Sequence, residues 1–317
     1  MSMHDVIARA PGSIGNVGPG FDVLGAAVTG AGDAVEARWV DGPAGQVRLD
    51  EPGAPELAQD PDGHASVVAA RAALARAAAM GIPAPATLAL VVRKGLPLSA
   101  GQGGSAASSV AGAVAARAAL GLPREARAEM LAAVEGEAHV AGRHFDNIAP
   151  AVLGGIVLVR ETDPLDVIAL PVPPSLRVVL VLPAQRLRTA DARAVLAASI
   201  PRATVVAQLA QLAALVAGLS LGDLTLVGRG LHDHLAEPAR APLLPGFVDA
   251  KRAALAYGAL GASIAGSGPT AFALCDGEAT AAAVCAAMVN AYERIGVPAT
   301  GRVASIDTNG ATVEPIP

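Results

Sequence analysis

Alternation of apolar and polar residues at every second position predicts β-strands in the first fifty residues of the chain. The pattern runs through DVIARAPG, DAVEARWV and QVRLD, which begin at residues 5, 33 and 46 and are separated by Gly, Pro and Asp. Longer apolar runs predict strands over 86–97, 154–161 and 174–183. A glycine-rich turn followed by one more strand is predicted over 262–276.

Apolar residues that recur every three or four positions predict helices between these strands. The clearest is SVVAARAALARAAAM at 66–80, because Gly81 and Pro83 follow it as a helix end. The other predicted helices cover 105–120, 124–141, 189–200, 203–219, 243–261 and 278–296. Strands and helices alternate in both halves, so we expect an α+β chain of two domains, 1–170 and 171–317, divided near PVPP at 171–174.

Composition narrows the classes of function. Hydrophobic residues make up 53% of the chain but aromatic residues only 2%, so the core is predicted to consist of Ala, Val, Leu and Ile. The net charge of −5 argues against nucleic-acid binding, which needs a basic face to displace counterions. Only Lys94 and Lys251 are lysines, so a single arginine is weak evidence for anion recognition in this arginine-rich chain.

The cellular setting is predicted from cysteines and uncharged stretches. Cys275 and Cys285 form neither a metal-ligand spacing nor a disulfide framework, and the opening residues lack the apolar run of a signal peptide. Two uncharged stretches, 95–116 and 203–222, approach the length of a membrane span, but the first is rich in Gly and Ser and the second is rich in alanine and contains two glutamines. We therefore expect a cytoplasmic protein without a membrane partner.

The segment PLSAGQGGSAASSV at 97–110 places a glycine-rich loop between a predicted strand and a predicted helix. The first turn of a helix has amide donors without partners, and glycines at 101, 103 and 104 let an anion approach the backbone closely. Ser105 stands at the helix start, where its hydroxyl could cap the helix or bind Mg²⁺. The loop matches neither the Walker A pattern nor a dinucleotide fingerprint, and the alternative is a tight turn before a small-residue helix.

Three more polar, glycine-rich segments stand far apart in the sequence. They are APGSIGNVGPGFDVLG, HFDNIAPAVLGG and IAGSGPTAFAL, which begin at residues 10, 144 and 264. Loops of this kind, separated by core elements, suggest one shared site. Each could also be turn chemistry on its own, with Asn16 and Asp22 as caps and His144 as a surface histidine. The candidate side chains in and near these segments are Asn16, Asp22, Glu137, His144, Asp146 and Asn147.

Taken together, PGSIGNVGPGFDVLGAAV, PLSAGQGGSAAS, HFDNIAPAVLGG, AEPARAPLLPGF and AGSGPTAFAL resemble the GHMP kinase superfamily, and within it the homoserine kinases. The resemblance covers nearly the whole chain. It implies a two-domain fold with an N-terminal domain like domain 2 of ribosomal protein S5 and a ferredoxin-like C-terminal domain. It also implies a homodimer that phosphorylates the side-chain hydroxyl of L-homoserine with Mg-ATP, giving O-phospho-L-homoserine for threonine biosynthesis.

The resemblance assigns roles residue by residue. The phosphate-binding loop would be 97–108, and the metal ligands Ser105 and Glu137. The residues implied to bind ATP are Pro97, Leu98, Ser99, Ala100, Gly101, Gln102, Gly103, Gly104, Ser105, Ala106 and Ala107. The residues implied to bind the substrate are Asn16, Asp22, His144, Asn147, Arg193 and Arg240. A zwitterionic amino acid needs an anion for its ammonium and a cation for its carboxylate, which suits Asp22 and the two arginines.

Three residues are candidates for direct roles in phosphoryl transfer, which needs positioning and charge neutralisation more than covalent chemistry. Asn16 and Asn147 would orient the attacking hydroxyl. Asp146 occupies the position where some superfamily members have a catalytic aspartate. It could be a base or could only fix the loop.

The loop departs from the superfamily's usual Gly-Leu-Gly-Ser-Ser-Ala, because Gln102 replaces Leu and Gly104 replaces the first Ser. Ser66 stands where many relatives have Asn near the nucleoside. Two other interpretations remain open: a GHMP kinase for mevalonate, a sugar or shikimate, and an inactive binding protein of the same fold. Intact Ser105 and Glu137 favour an active kinase.

Overall fold

Two sheets organise residues 4–316, which the computed structural model describes. The limits of the predicted domains at residues 1 and 317 lie outside this range. The strands are β1 (Val6–Gly15), β2 (Leu24–Val40), β3 (Val47–Glu51), β4 (Thr87–Arg93), β5 (Ile156–Thr162), β6 (Leu165–Leu170), β7 (Leu176–Pro183), β8 (Gly261–Ile264), β9 (Ala271–Asp276), β10 (Ala299–Ser305) and β11 (Thr312–Pro315). The helices are α1 (Ala65–Ala79), α2 (Gly104–Ala119), α3 (Ala126–Val140), α4 (Ile148–Leu153), α5 (Thr189–Ala194), α6 (Arg202–Leu221), α7 (Leu224–Gly230), α8 (Ala236–Arg240), α9 (Phe247–Ala256) and α10 (Glu278–Glu293).

The first sheet has the order β11-β1-β2-β4-β3, and β5 joins it through β2 with β6 at its side. All pairings are antiparallel except that of β3 with β4. Helices α2 and α4 pack on β1 and β2, while α1 and α3 pack against α2, which is therefore buried over most of its surface. Its buried residues are almost all Ala, Val, Gly and Ser, which is how a chain with few aromatic residues fills its core.

The second sheet has the order β10-β7-β9-β8 and is entirely antiparallel. In chain order this is fourth, first, third and second, the ferredoxin-like arrangement that the resemblance implied. One face packs on α9 and α10. The other face, with Leu180 and Phe272, joins a core that includes Leu215 and Leu219 of α6 and Leu24 of the first sheet. A continuous apolar core therefore joins the two sheets.

Residues before and after 170 fall into different sheets, with one exception. The strand β11 returns to the first sheet and pairs with β1, and Ile306 makes an isolated bridge with Val28. The proposed domain division at 170/171 stays a prediction.

Most predicted elements are present, but two helices are shorter than expected. The helix predicted over 189–200 ends at Ala194, and the six residues between it and Pro201 are mostly exposed. The residue before a proline is disfavoured in a helix, so the chain cannot continue helical into α6. The helix predicted over 243–261 begins only at Phe247, because Gly246 has a left-handed backbone, and it ends at Ala256. Gly261, its predicted last residue, begins the strand β8 instead.

The two uncharged stretches behave differently. Residues 95–103 form a loop, so the first stretch is helical only from Gly104 onward. Among residues 4–316, α6 is the one helix long and apolar enough to cross a membrane. It contributes Leu215 to the core, and its Gln208 side chain donates a hydrogen bond to the Pro19 carbonyl at 2.8 Å. These contacts join one side of α6 to both halves of the folded chain.

Candidate active site

A cavity of about 740 Å³ lies between the phosphate-loop region and the C-terminal half of the chain. Seven separate stretches of the sequence contribute to its wall. The predicted site residues that line it are Asn16, Asp22, Leu98, Ser99, Gly101, Gly103, Gly104, Ser105, Glu137, His144, Asp146, Asn147, Arg193 and Arg240. The structure thus brings together residues that are more than 200 positions apart in the sequence.

The glycine loop enters α2 one residue earlier than predicted, at Gly104. Gly103 precedes the helix with a φ of +68°, and a Cβ at this position would lie 2.1 Å from Ser13 Oγ. Both the left-handed backbone and the contact require glycine. The amides of the first helical turn have no partners within the helix, and Gly104 and Ser105 lie on the cavity wall. The helix start can therefore bind an anion.

Five of the predicted loop residues do not line the cavity. Ala106 and Ala107 are buried in α2, and the Ala100 carbonyl accepts a hydrogen bond from the Thr270 backbone amide at 3.2 Å. The Gln102 side chain points to the C-terminal sheet, where it donates to Thr270 Oγ1 and accepts from Arg302, both at 3.2 Å. The five predicted loop residues that do not line the cavity are Pro97, Ala100, Gln102, Ala106 and Ala107. Gln102 thus joins the loop to the other half of the chain.

A buried group that the sequence analysis missed holds the loop from behind. The Asp33 carboxylate accepts hydrogen bonds from the Gly95 and Leu96 amides at 3.1 and 3.2 Å, from Ser108 Oγ at 2.7 Å and from the Lys94 ammonium. Lys94 also donates to the Gly104 carbonyl at 3.1 Å. The group fixes the strand end and the helix start together. Its one sequence signal was a lysine in a chain whose other basic residues are nearly all arginines.

The two predicted metal ligands, Ser105 and Glu137, face the same part of the cavity. The pKa of Glu137 is raised to about 7, mainly by burial. The Ser105 hydroxyl and the Lys94 ammonium oppose this shift, and the Asp146 carboxylate adds to it. Glu137 Oε2 is buried and has no hydrogen-bond partner. A buried carboxylate oxygen without a partner fits a hard cation such as Mg²⁺.

The described residues contain no group of three or more His, Cys, Asp or Glu side chains that could hold a metal ion alone. Mg²⁺ commonly binds through one or two protein oxygens together with substrate phosphates and water. The pair of Ser105 and Glu137 suits a cation that arrives with a phosphate ligand.

Asp146 and Asn147 occupy the wall between the two ends of the cavity. Asp146 Oδ2 accepts a hydrogen bond from the Asn16 amide at 3.1 Å, and Asn147 Oδ1 accepts one from Ser13 Oγ at 2.9 Å. A Cβ at Gly15 would lie 2.4 Å from both side chains, so glycine is required there. Burial raises the pKa of Asp146 to about 6, and the Asp22 carboxylate also raises it.

Asn16 links two loops with its side chain. Its Oδ1 accepts a hydrogen bond from the Asp22 amide at 3.1 Å, and its Nδ2 donates one to the Gly266 carbonyl at 2.9 Å. Its backbone has a φ of +69°, a conformation that asparagine tolerates better than most residues. Asn16 therefore fixes the N-terminal loop against the glycine turn that follows β8.

Charged side chains line the opposite end of the cavity. Arg193 Nη2 lies 2.8 Å from Asp22 Oδ1, and Arg193 Nη1 lies 3.3 Å from Asp22 Oδ2. Arg240 donates to the Ala192 and Gly266 carbonyls at 3.0 and 2.8 Å, and it forms no ion pair within the described residues. The sequence analysis missed Phe21: the two guanidinium groups lie 5.6 and 5.5 Å from the centre of its ring.

His144 stands beside the ion pair, with Nδ1 3.6 Å from Asp22 Oδ2. Burial lowers the pKa of His144; Asp22 opposes this effect and Arg193 adds to it. The lowered pKa disfavours the charged imidazolium form. Ser66, the departure near the expected nucleoside, is fully buried and bonds His64 Nδ1 at 2.7 Å, so that His64 rather than Ser66 lines the cavity.

The two ends offer complementary chemistry. One end presents backbone amides, a hydroxyl and a buried carboxylate, which suit a polyanion with its cation. The other presents one carboxylate and two guanidinium groups, which suit a small molecule with opposite charges. Asp146 and Asn147 lie between them. The arrangement supports transfer of a phosphoryl group from one ligand to the other.

Comparison with known proteins gives concordant results in sequence and structure. The family model described as GHMP kinases N terminal domain matches residues 65–155, and the one described as GHMP kinases C terminal matches 209–294. A homoserine kinase from Chloroherpeton thalassium is 42% identical over 301 residues, which cover 92% of this chain and 94% of the relative. One from Arabidopsis thaliana is 41% identical, covering 95% and 82% of the two chains.

Solved structures support the same assignment. The crystal structure of homoserine kinase from Cytophaga hutchinsonii has a TM-score of 0.91 at 38% identity, and 99% of each chain is covered. Lactococcus lactis galactokinase complexed with galactose has a TM-score of 0.70 at 19% identity, covering 97% and 95% of the two chains. That second similarity shows the fold alone.

Proposed function

The chain belongs to the homoserine kinases of the GHMP kinase family, and we propose that it transfers the γ-phosphate of ATP to the side-chain hydroxyl of L-homoserine. The products are O-phospho-L-homoserine and ADP. The observation that carries the proposal is that one cavity holds a glycine-rich helix start at one end and an aspartate with two arginines at the other. This activity places the protein in threonine biosynthesis.

The nucleotide phosphates would bind at the start of α2. The free amides at Gly104 and Ser105 and the positive end of the helix favour a polyanion there. Ser105 and Glu137 would hold Mg²⁺, which neutralises charge on the phosphates when bound. The missing hydroxyl at Gly104 leaves the backbone amide as the donor at this position.

The amino acid would bind at the charged end. Its carboxylate would meet Arg193 and Arg240, and its ammonium group would meet Asp22, with His144 beside them. Asn147 would orient the hydroxyl toward the nucleotide, because its amide is fixed by Ser13 between the two ends.

We assign Asp146 and Asn16 positioning roles. Asp146 accepts hydrogen bonds from the Asn16 amide and, at 3.4 Å, from Asn147 Nδ2, so that both carboxylate oxygens are already engaged. The two ends of the Asn16 amide are engaged as well. An Asp146→Asn variant tests this role: a loss of kcat above about 10²-fold with unchanged KM would identify Asp146 as a base instead.

The proposed activity is tested by ADP release from Mg-ATP with four acceptors in parallel: L-homoserine, mevalonate, galactose and shikimate. We expect turnover with L-homoserine alone, and its loss in Ser105→Ala. Turnover with another alcohol would overturn the substrate assignment. ATP binding without any turnover would favour an inactive binding protein.

We further propose that the enzyme acts in the cytoplasm as a homodimer. The exposed apolar residues of α6, Val205, Val206 and Leu209, offer a surface for a second copy. Light scattering of the purified protein should give twice the 31.3 kDa chain mass. A monomeric mass would overturn the dimer.

A further inference from the structure

The structure pairs two residues that we assign to different groups of the amino acid: Asp22 to its ammonium group and Arg193 to its carboxylate. Asp22 and Arg193 meet through two N–H···O contacts, at 2.8 and 3.3 Å, across 171 residues of sequence. Both side chains are about one-third exposed and line the cavity. The chain thus forms within itself the same kind of pair that each residue would form with an amino acid.

A ligand carboxylate has only one edge of the Arg193 guanidinium to bind. Arg193 Nε is buried and has no hydrogen-bond partner, so a molecule in the cavity cannot reach the edge that includes it. The open edge is formed by Nη1 and Nη2, and Asp22 occupies it. A carboxylate that binds Arg193 in a bidentate manner must therefore displace Asp22.

Displacement leaves the Asp22 carboxylate without its cation. His144, the other basic group beside it, is a weak replacement for that cation, because burial lowers the pKa of its imidazole and disfavours the charged form. The buried Asp146 carboxylate interacts unfavourably with Asp22 across the same wall. A ligand with an ammonium group replaces the lost cation, whereas a ligand with only a carboxylate does not.

We infer that Asp22 is a specificity-determining residue that competes with the ligand carboxylate for Arg193, so that only a ligand with an ammonium group can open the Asp22–Arg193 pair without a loss of charge pairing. The inference rests on the proposed function and deepens it. It differs from simple recognition of the ammonium group, because it makes Asp22 an inhibitor of binding for hydroxy acids that lack one.

The test compares L-homoserine with 4-hydroxybutanoate, which is homoserine without its amino group, in the native protein and in Asp22→Asn. Asparagine suits this position because its φ is +58°. With Mg-ATP, we expect kcat/KM for L-homoserine to fall by at least about tenfold, because the ammonium loses its partner. For 4-hydroxybutanoate we expect kcat/KM to rise about fivefold, because Arg193 becomes free.

Asp191→Asn is the matched control, because Asp191 is an exposed carboxylate on α5 whose partner is Arg188 at 3.7 Å. Like Asp22→Asn, it removes one negative charge, and it should leave kcat/KM unchanged for both L-homoserine and 4-hydroxybutanoate. An unchanged or lower kcat/KM for 4-hydroxybutanoate in Asp22→Asn would overturn the competition. Failure of the native protein to phosphorylate L-homoserine would instead refute the proposed function, and this inference with it.

A second measurement needs no variant and decides the matter if Asp22→Asn does not fold. Methylammonium chloride should increase turnover of 4-hydroxybutanoate by the native protein, relative to potassium chloride at the same ionic strength. The small cation can pair with Asp22 and release Arg193. No increase over potassium chloride would count against the inference.

Discussion

The two ends of the cavity are built in opposite ways. The phosphate end comes mainly from one stretch of chain, β4 to α2, and acts through backbone amides behind which Asp33 and Lys94 are buried. The amino-acid end comes from segments far apart in the sequence and acts through charged side chains. Backbone amides are a fixed feature of the fold, whereas charged side chains can pair with one another. The first end is local and rigid, and the second depends on the packing of both halves.

Glu137→Gln should have the largest effect on activity. The substitution keeps the side-chain shape but removes the charge that would hold the cation. We expect kcat to fall by about 10²–10³-fold, with little change at the amino-acid end. Steady-state kinetics at saturating L-homoserine over a range of Mg²⁺ concentrations measures it. A kcat within about threefold of the native value would remove Glu137 from the metal site.

The same variant has a stability consequence with a defined sign. Burial raises the pKa of Glu137 from 4.5 to about 7, so the native state binds more protons than the unfolded state between these values. The free energy of unfolding must then decrease as pH rises through this window, by on the order of 1–3 kcal/mol from this group. Urea denaturation at pH 5 and pH 8 should show that the free energy of unfolding decreases less in Glu137→Gln than in the native protein. An equal decrease would contradict the shifted pKa.

Arg193→Ala and Arg240→Ala should separate binding from folding at the charged end. Each should raise KM for L-homoserine by about 10–100-fold and leave KM for ATP unchanged. Arg240 is 2% exposed and bonds two backbone carbonyls, so its removal should also lower the melting temperature. Arg193 is one-third exposed, so its removal should lower the melting temperature by less. Equal melting temperatures for the two variants would contradict this difference.

Gly103→Ala and Gly104→Ala form a matched pair at the phosphate end. At Gly103 the methyl group would meet Ser13 in a left-handed backbone, and we expect a loss of about 1–3 kcal/mol in stability and weaker ATP binding. At Gly104 the nearest atom to an added Cβ, Lys94 Nζ, is 3.5 Å away, so alanine should be tolerated. Urea denaturation measures the stability of each variant, and titration calorimetry measures its affinity for ATP. Gly104→Ser should strengthen ATP binding about threefold by adding a hydroxyl donor.

Gln102→Leu should have the smallest effect. Leucine removes the hydrogen bonds to Thr270 and Arg302, while Arg302 keeps its bond to the Thr29 carbonyl. We expect a loss of about 1 kcal/mol in stability, because both lost bonds join the loop to the second sheet, with kcat nearly unchanged. Urea denaturation measures the loss of stability, and steady-state kinetics measures kcat. A stability equal to that of the native protein would show that this link contributes nothing.

Sequence patterns predicted the local end of the site better than the distant one. The strand, glycine loop and helix follow one another in the chain, and Gly and Pro mark the helix ends, so α1 and α2 were predicted within one residue at each end. The first half of β2 was missed, because LGAAVTGAG contains little polar alternation. Strands β6, β8, β10 and β11 were also missed. The exposed residues of β10 and β11 follow no clear period.

The arginines of the charged end have no local signal. Asp22 and His144 were candidates because they lie in polar, glycine-rich segments, but only the resemblance to a family selected Arg193 and Arg240 from the many arginines. The Asp33–Lys94 contact spans 61 residues and could not be predicted from either segment. That Asp22 and Arg193 bond to each other is likewise visible only in three dimensions, because each was assigned to a different part of the ligand.

The return of β11 to the first sheet has a consequence for the order of folding during synthesis. A ribosome releases residues 6–9 about 300 positions before residues 312–315, which pair with them. Until then one edge of β1 has unpaired N–H and C=O groups that another chain could join. The emerging N-terminal half is therefore vulnerable to aggregation for nearly the whole time of translation, and a chain stopped before residue 312 keeps that edge open permanently.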